Sequence, residues 1–167
     1  VAAVDDGIAR MGEIVFSSTG TPVLRALGLG SCIGLCVFDP GTKLAAMAHI
    51  MLPESRNKEN PELGKYADTA VPKVIADMVA KGASRSRLRV AIAGGAQLFA
   101  FAGATDRLDV GKRNIEAVKV ALKGCQLKLV AEDVGGKTGR TVTMDSATGE
   151  ITVRQVGGVE RPLTRLS

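Results

Sequence analysis

Three cysteines and one histidine supply the groups of this chain best suited to nucleophilic chemistry: Cys32, Cys36, Cys125 and His49. A free thiol is mostly protonated at neutral pH, and an imidazole beside it can take that proton and leave a thiolate. Asp39-Pro40-Gly41-Thr42 reads as a turn between two apolar, β-prone runs, one holding Cys32 and the other His49. With Pro40-Gly41 as the loop, Cys32 lies directly opposite His49, with Cβ atoms about 4.5–5.5 Å apart. Such a pair predicts acyl transfer through a thioester. The approach Gly28-x-Gly30-Ser31 lets substrate come close to the backbone and offers main-chain N–H groups from Gly30 to Cys32 to an oxyanion. The competing reading makes Cys32 a small buried hydrophobe and His49 a hydrogen-bonded structural residue.

The elements that must position these residues follow from periodicity and punctuation. Ile14-Val15-Phe16 reads as a strand, Ser17 to Pro22 as a solvated loop, and Val23-Leu24 as the entry of a second strand that runs to the Gly-rich segment. After the hairpin, Pro53 to Glu62 is polar and bounded by prolines, an exposed loop that begins where the histidine strand ends. Ala67, Ala70, Val71, Val74, Ile75, Met78 and Val79 recur at helical spacing over Ala67 to Lys81, with Gly82 as the stop. Pro72 limits how early that helix begins, and Asp68 or a neighbour caps its first turn. Leu88 to Ala93 is a strand running into Gly94-Gly95-Ala96, where backbone approaches backbone or ligand closely; Gln97 reads as an exposed turn residue or a substrate contact. A second helix spans about Lys112 to Lys123, with Ile115, Val118, Ala121 and Leu122 on one face and Gly124 as its stop. Strands follow at Leu127–Ala131, Thr141–Met144 and Ile151–Arg154, the last two joined by Asp145 to Gly149. Glu132 and Asp133 point to opposite sides of a strand, a poor acid/base pair but a plausible source of a salt bridge to Arg140 or Arg113. Hairpins with helical excursions indicate an α+β fold in a single domain, residues 1–167.

Composition narrows the function. Aromatic residues make up 3% of the chain, with no Trp, which removes the stacking platforms of single-strand nucleic-acid binders. A net charge of +5 favours an acidic protein surface over a nucleic acid as partner. An odd cysteine count without Cys-x-x-Cys spacing points to a reducing compartment, and Cys32 and Cys36 cannot pair while both lie in one strand. Three Cys and one His lack the paired-ligand spacing of a zinc site, and neither a dinucleotide fingerprint nor a Walker motif occurs, so no metal and no cofactor are expected. Acidic residues near the start and the absence of a ~20-residue apolar run argue against a signal peptide or membrane insertion, and for a cytoplasmic location.

Leu27-Gly28-Leu29-Gly30-Ser31-Cys32, the Asp39-Pro40 turn and Met47-Ala48-His49-Ile50-Met51-Leu52-Pro53 together resemble the signature of the CheD family, the chemotaxis chemoreceptor glutamine deamidases. Gly64-Lys65-Tyr66-Ala67-Asp68-Thr69-Ala70, Ile92-Ala93-Gly94-Gly95-Ala96, Gly111-x-Arg113-Asn114 and Ala131-Glu132-Asp133-x-Gly135-Gly136 are similar to that family's other blocks, in the same order. The resemblance implies a protein-glutamine glutaminase that hydrolyses receptor glutamine side chains to glutamate and releases ammonia. Cys32 maps to its nucleophile and His49 to its base. It implies chemoreceptor cytoplasmic domains and a CheC-type phosphatase as partners. It also implies a fold of β-sandwich-like mixed sheets with flanking helices, shared with cysteine hydrolases and toxin deamidases. The family pattern has a threonine six residues before the cysteine to orient the imidazole; here that position is Ala26, whose main-chain carbonyl remains as an acceptor. A non-catalytic docking module that binds the phosphatase and receptors is the alternative, for which Ala26 is the motivating departure.

Overall fold

A computed structural model describes residues 6–59, 61–98 and 109–167, so the acidic opening Val1 to Asp5 and Asn60 of the polar loop lie outside the described residues. Two sheets carry the chain. The first orders β1 (Ile14–Phe16), β4 (Ala45–Ile50), β3 (Ile33–Phe38), β5 (Arg89–Gly94) and β6 (Leu129–Val134) side by side; the second orders β2 (Val23–Leu29), β7 (Arg140–Asp145), β8 (Glu150–Gln155) and β9 (Glu160–Arg165). All pairings are antiparallel except β5 with β6, which are parallel and joined through helix α2 (Val110–Gly124).

β3 and β4 are buried along their whole length because the five-stranded sheet is covered on both faces. Ile33, Leu35 and Val37 of β3, with Ala46, Ala48 and Ile50 of β4, pack against α1 (Ala67–Ala80) and α2. The alternate residues Cys36, Phe38, Ala45 and Met47 meet Leu24, Ala26, Leu29, Val142, Met144, Ile151 and Val153 of the second sheet. The α+β expectation holds, as one mixed and one antiparallel sheet face to face with the helices outside. No described helix is long and apolar enough to cross a membrane.

Several expectations need correction. Gly34 pairs with His49 and Phe38 with Ala45, so the hairpin register places His49 opposite Gly34, not opposite Cys32. Two-residue hairpin loops want primed turns, whereas Pro at the second turn position selects an ordinary type I or II bend that splays strands unless the loop lengthens. Here the closing pair is Asp39 and Leu44, bonded at 2.9 Å, Lys43 N–H returns to the Asp39 carbonyl at 2.7 Å, and Lys43 itself is left-handed at φ 61°. The Asp39 carboxylate holds this turn: it accepts from Gly41 N–H at 2.8 Å and Ser84 N–H at 2.9 Å, and takes Arg87 bidentately at 2.8 and 2.9 Å. That guanidinium keeps the Asp39 carboxyl far below the usual range.

Pro72 lies inside α1 and does not delay its start. The first turn is anchored instead by Ala70 N–H on the Tyr66 carbonyl at 2.7 Å and by Thr69 Oγ1 on the Leu63 carbonyl at 2.7 Å. Asp68 caps nothing in its own helix and reaches Ser55 N–H at 3.0 Å and Lys58 Nζ at 3.2 Å, which explains why Ser55 is buried in an otherwise exposed loop. Helix α2 runs through Gly124, and its chain reverses at Gln126, left-handed at φ 60°. Asp109 supplies the N-cap, accepting from Lys112 N–H at 2.9 Å. β9, with Pro162 inside it, has no apolar alternation to betray it and sits at a sheet edge, where a missing N–H is tolerated.

Candidate active site

Cys32 lies at the entry of β3 and His49 near the end of β4, and both belong to the face that meets the second sheet. The two-residue difference in register preserves the pleat, so Cys32, Gly34, Cys36 and Phe38 still share that face. His49 is therefore diagonal to Cys32 across Gly34, with Cys32 one residue beyond the end of the ladder, and no hydrogen bond joins the two side chains among the described residues. Glycine at 34 is dictated by the facing sheet. A Cβ there would fall 2.7 Å from Val142 Cγ1 and 3.0 Å from Leu29 Cδ1, and 3.5 Å from the Ala26 methyl.

His49 is 4% exposed, and its Nδ1 lies 2.9 Å from the main-chain carbonyl of Ala9. A carbonyl only accepts, so Nδ1 carries the proton and the neutral ring keeps its lone pair on Nε2, the tautomer a base requires. Ala9 is delivered by a segment laced between the sheets: Ala9 N–H donates to Arg25 of β2 at 2.8 Å, and Gly12 N–H donates to the His49 carbonyl at 2.9 Å. The ring's acceptor is thus Ala9 and not Ala26, which is fully buried and paired with Val142 in the second sheet. Burial pushes the His49 pKa below its ordinary value and the Cys32 pKa above its own, so at neutral pH the resting groups are thiol and neutral imidazole.

Gly30, Ser31 and Cys32 form no strand, and their carbonyls are all engaged: Gly30 accepts from Ala96 N–H at 2.8 Å, Ser31 from Asn114 Nδ2 at 2.8 Å, and Cys32 from Gly95 N–H at 2.9 Å. Among the described residues their own amides donate no main-chain hydrogen bond. Gly94-Gly95-Ala96 is the close approach of backbone to backbone that its glycines suggest. Gly94 has φ 114°, and a Cβ there would fall 2.1 Å from the Cys32 carbonyl oxygen. Gln97 is half-buried and its N–H donates to the Gly136 carbonyl at 2.9 Å.

Cys36 is fully buried with its Sγ 3.6 Å from Met47 Sδ, and burial pushes its thiol up to about 12. Cys125 is half-buried against the helical core, a packing residue as its place after a helix suggests. Glu132 pairs with Lys119 at 2.9 Å and Asp133 with Arg140 at 2.6 Å, so these carboxylates make ion pairs and no acid/base dyad. Sequence reasoning missed two contributors. Ala9 acts through its main chain and leaves no side-chain signal; Asn114 occupies an apolar stripe with Gly111, Val118 and Leu122, and a polar residue at such a position is a legible oddity.

Fold and site together define a class: a two-sheet α+β domain carrying a partly exposed thiol and a single, tautomer-fixed imidazole on the inner face of one sheet. The sequence model of the CheD family, described as CheD chemotactic sensory transduction, matches residues 51–155. A probable chemoreceptor glutamine deamidase CheD of Symbiobacterium thermophilum is 46% identical over 156 residues, covering 92% of this chain and 94% of the relative. One from Desulfitobacterium hafniense is 43% identical over 155 residues, covering 92% and 97%. The chemoreceptor glutamine deamidase CheD of Thermotoga maritima is 47% identical over 139 residues, covering 83% and 85%. The chain belongs to the CheD family.

Proposed function

We propose that this chain is a chemoreceptor glutamine deamidase, hydrolysing glutamine side chains to glutamate with Cys32 as nucleophile and His49 as general base. The observation that carries this reading is the contact of His49 Nδ1 with the Ala9 carbonyl at 2.9 Å, which makes Nε2 the basic nitrogen of the neutral ring, on the strand face it shares with Cys32. The names borne by the relatives supply the substrate class.

Because thiol and imidazole rest neutral, proton transfer accompanies attack. His49 Nε2 takes the Cys32 proton as sulfur bonds to the carboxamide carbon, and the carbonyl electron pair moves to oxygen. The amides of Gly30, Ser31 and Cys32, which donate no main-chain hydrogen bond among the described residues, are the donors available to that oxyanion. His49 then returns the proton to the departing nitrogen and ammonia leaves, giving a thioester. Water, deprotonated by the same Nε2, adds to the thioester carbon; the C–S bond breaks, sulfur takes the proton back from His49 as the thiol, and the side chain is released as glutamate.

A cytoplasmic location follows from such a substrate, and a CheC-type phosphatase is proposed as a second partner on the sequence resemblance. The test is ammonia release, with a mass gain of about one dalton on a receptor cytoplasmic fragment, in wild type and Cys32→Ala. Turnover abolished by the substitution supports the deamidase. No turnover in wild type, with retained binding to receptor or phosphatase, makes the chain a docking module instead.

A further inference from the structure

Asn114, on the second turn of α2, is fully buried, and its side-chain amide donates two hydrogen bonds at once: to the Ser31 carbonyl at 2.8 Å and to the Met51 carbonyl at 2.9 Å. Both partners are acceptors, which fixes the amide nitrogen toward them. Oδ1, equally buried, has no hydrogen-bond partner among the described residues. The bonded carbonyls lie just beyond the last pair of the β3–β4 ladder, Ile33 with Ile50, where β3 begins directly after Cys32 and β4, which carries His49, ends. Asn114 thus adds a side-chain rung that holds the two strand ends together.

A peptide group is planar and trans, so whatever fixes its C=O fixes its N–H in the opposite direction. The Ser31 carbonyl and the Cys32 N–H belong to one peptide group. We propose that Asn114 is a positioning residue that aims the Cys32 amide N–H at the developing oxyanion by clamping the far end of the same peptide. Ala96 N–H does the equivalent for the peptide that carries the Ser31 N–H, through its bond to the Gly30 carbonyl. The inference rests on the deamidase reading above, because only a reaction through a tetrahedral oxyanion uses these amides.

A donor needed only in the transition state affects kcat and leaves KM alone. The test compares wild type, Cys32→Ala, Asn114→Leu, which keeps the side chain's shape without its donors, and Asn114→Ala, which relieves any packing strain of the leucine. Ammonia release from a receptor fragment gives kcat and KM, and iodoacetamide alkylation of Cys32, a displacement without an oxyanion, reports the thiol separately. The expected result is a fall in kcat of about a hundredfold in both Asn114 variants, the loss typical of one oxyanion donor. KM and the Cys32 alkylation rate stay within about threefold of wild type. Unchanged kcat, or a loss of kcat matched by a loss of alkylation or of folded protein in both variants, would make Asn114 structural and overturn the proposal. Wild type that releases no ammonia overturns the deamidase reading and this inference with it, whereas Cys32-dependent turnover indifferent to Asn114 overturns this inference alone.

Discussion

Cys32 and Cys36 lie on one face of the same chain segment, and burial separates their chemistry. Cys36 is sealed between the sheets with its thiol pushed up to about 12, while Cys32, at the strand entry, keeps part of its surface in water. Limited iodoacetamide treatment of the folded protein is expected to label Cys32 and leave Cys36 untouched, read by peptide mass spectrometry; equal labelling would remove the case for a privileged thiol. The pH dependence follows from His49. Its pKa is lowered from the ordinary 6.5 by burial, so the base stays competent somewhat below that pH, and the acid limb of kcat/KM is expected to have its midpoint below 6.5. Stability moves in the same direction. The unfolded chain binds the proton more readily than the folded one, so His49's contribution is complete above 6.5 and is lost as pH falls from there through the folded value. An acid limb above 6.5 would mean that a different group titrates. Ala26, where the sequence resemblance leads one to expect threonine, lies fully buried beside Gly34 with the ring's Nδ1 already satisfied by Ala9. Ala26→Thr is therefore expected to cost about 1–3 kcal/mol in urea unfolding through overpacking, with turnover within about threefold of wild type. A tenfold gain in turnover would show that Ala9 is an insufficient substitute for the missing hydroxyl.

At the scale of elements, the second sheet packs directly against the backbone of β3 where that strand gives up a side chain at Gly34. Gly34→Ala would place a Cβ 2.7 Å from Val142 Cγ1 and 3.0 Å from Leu29 Cδ1, so these side chains or the sheets that carry them must shift beside His49. The expected cost is about 1–3 kcal/mol by urea unfolding, with reduced turnover, while Gly20→Ala, which meets no atom within 4 Å, stays within about 0.5 kcal/mol of wild type. A neutral Gly34→Ala would mean that the sheet spacing is adjustable at this point. How much of this was legible in the sequence depends on whether side chains or main chain carry the information. Apolar alternation and turn residues marked β1, β2, the β3–β4 hairpin, both helices and the β7–β8 hairpin. The pairing of those strands into two facing sheets is set by long-range packing that no local pattern records. Cys32 and His49 could be placed on one face because a two-residue slip in a hairpin conserves the pleat. Their diagonal relation could not, because it depends on Lys43 adopting a left-handed conformation and on Arg87 reaching back to Asp39. Ala9, whose role needs only a carbonyl, was invisible for the same reason that any main-chain acceptor is.

Across the whole molecule, the ion pairs of Asp133 tie the two sheets together and continue into the nucleophile loop. Asp133 of β6, in the first sheet, is 9% exposed and bonds Arg140 of β7, in the second, which is 3% exposed; Arg161 of β9 also reaches Asp133. Arg140 further donates to the main-chain carbonyls of Asp133, Gly135 and Thr138, so it shapes the turn that follows β6. That turn in turn holds the segment after β5, through Gly135 N–H on the Gly94 carbonyl and Gln97 N–H on the Gly136 carbonyl, each at 2.9 Å. The same segment, through Gly95 and Ala96, grips the carbonyls of Cys32 and Gly30. Removing the Asp133 carboxylate strands a buried guanidinium, and such an uncompensated charge costs about 3–5 kcal/mol. The Lys119–Glu132 pair one residue away is exposed on both sides and, like most surface pairs, is worth about 1 kcal/mol or less. Asp133→Ala is therefore expected to lower the urea midpoint several times more than Glu132→Ala, with the m-value unchanged. It should also alter the rate at which folded protein is alkylated at Cys32, because the loop's anchors lead back to this pair. Equal, small shifts from the two substitutions would mean that the apolar core alone holds the sheets in register, and that the alignment of the nucleophile loop is set locally by Asn114 and Ala96.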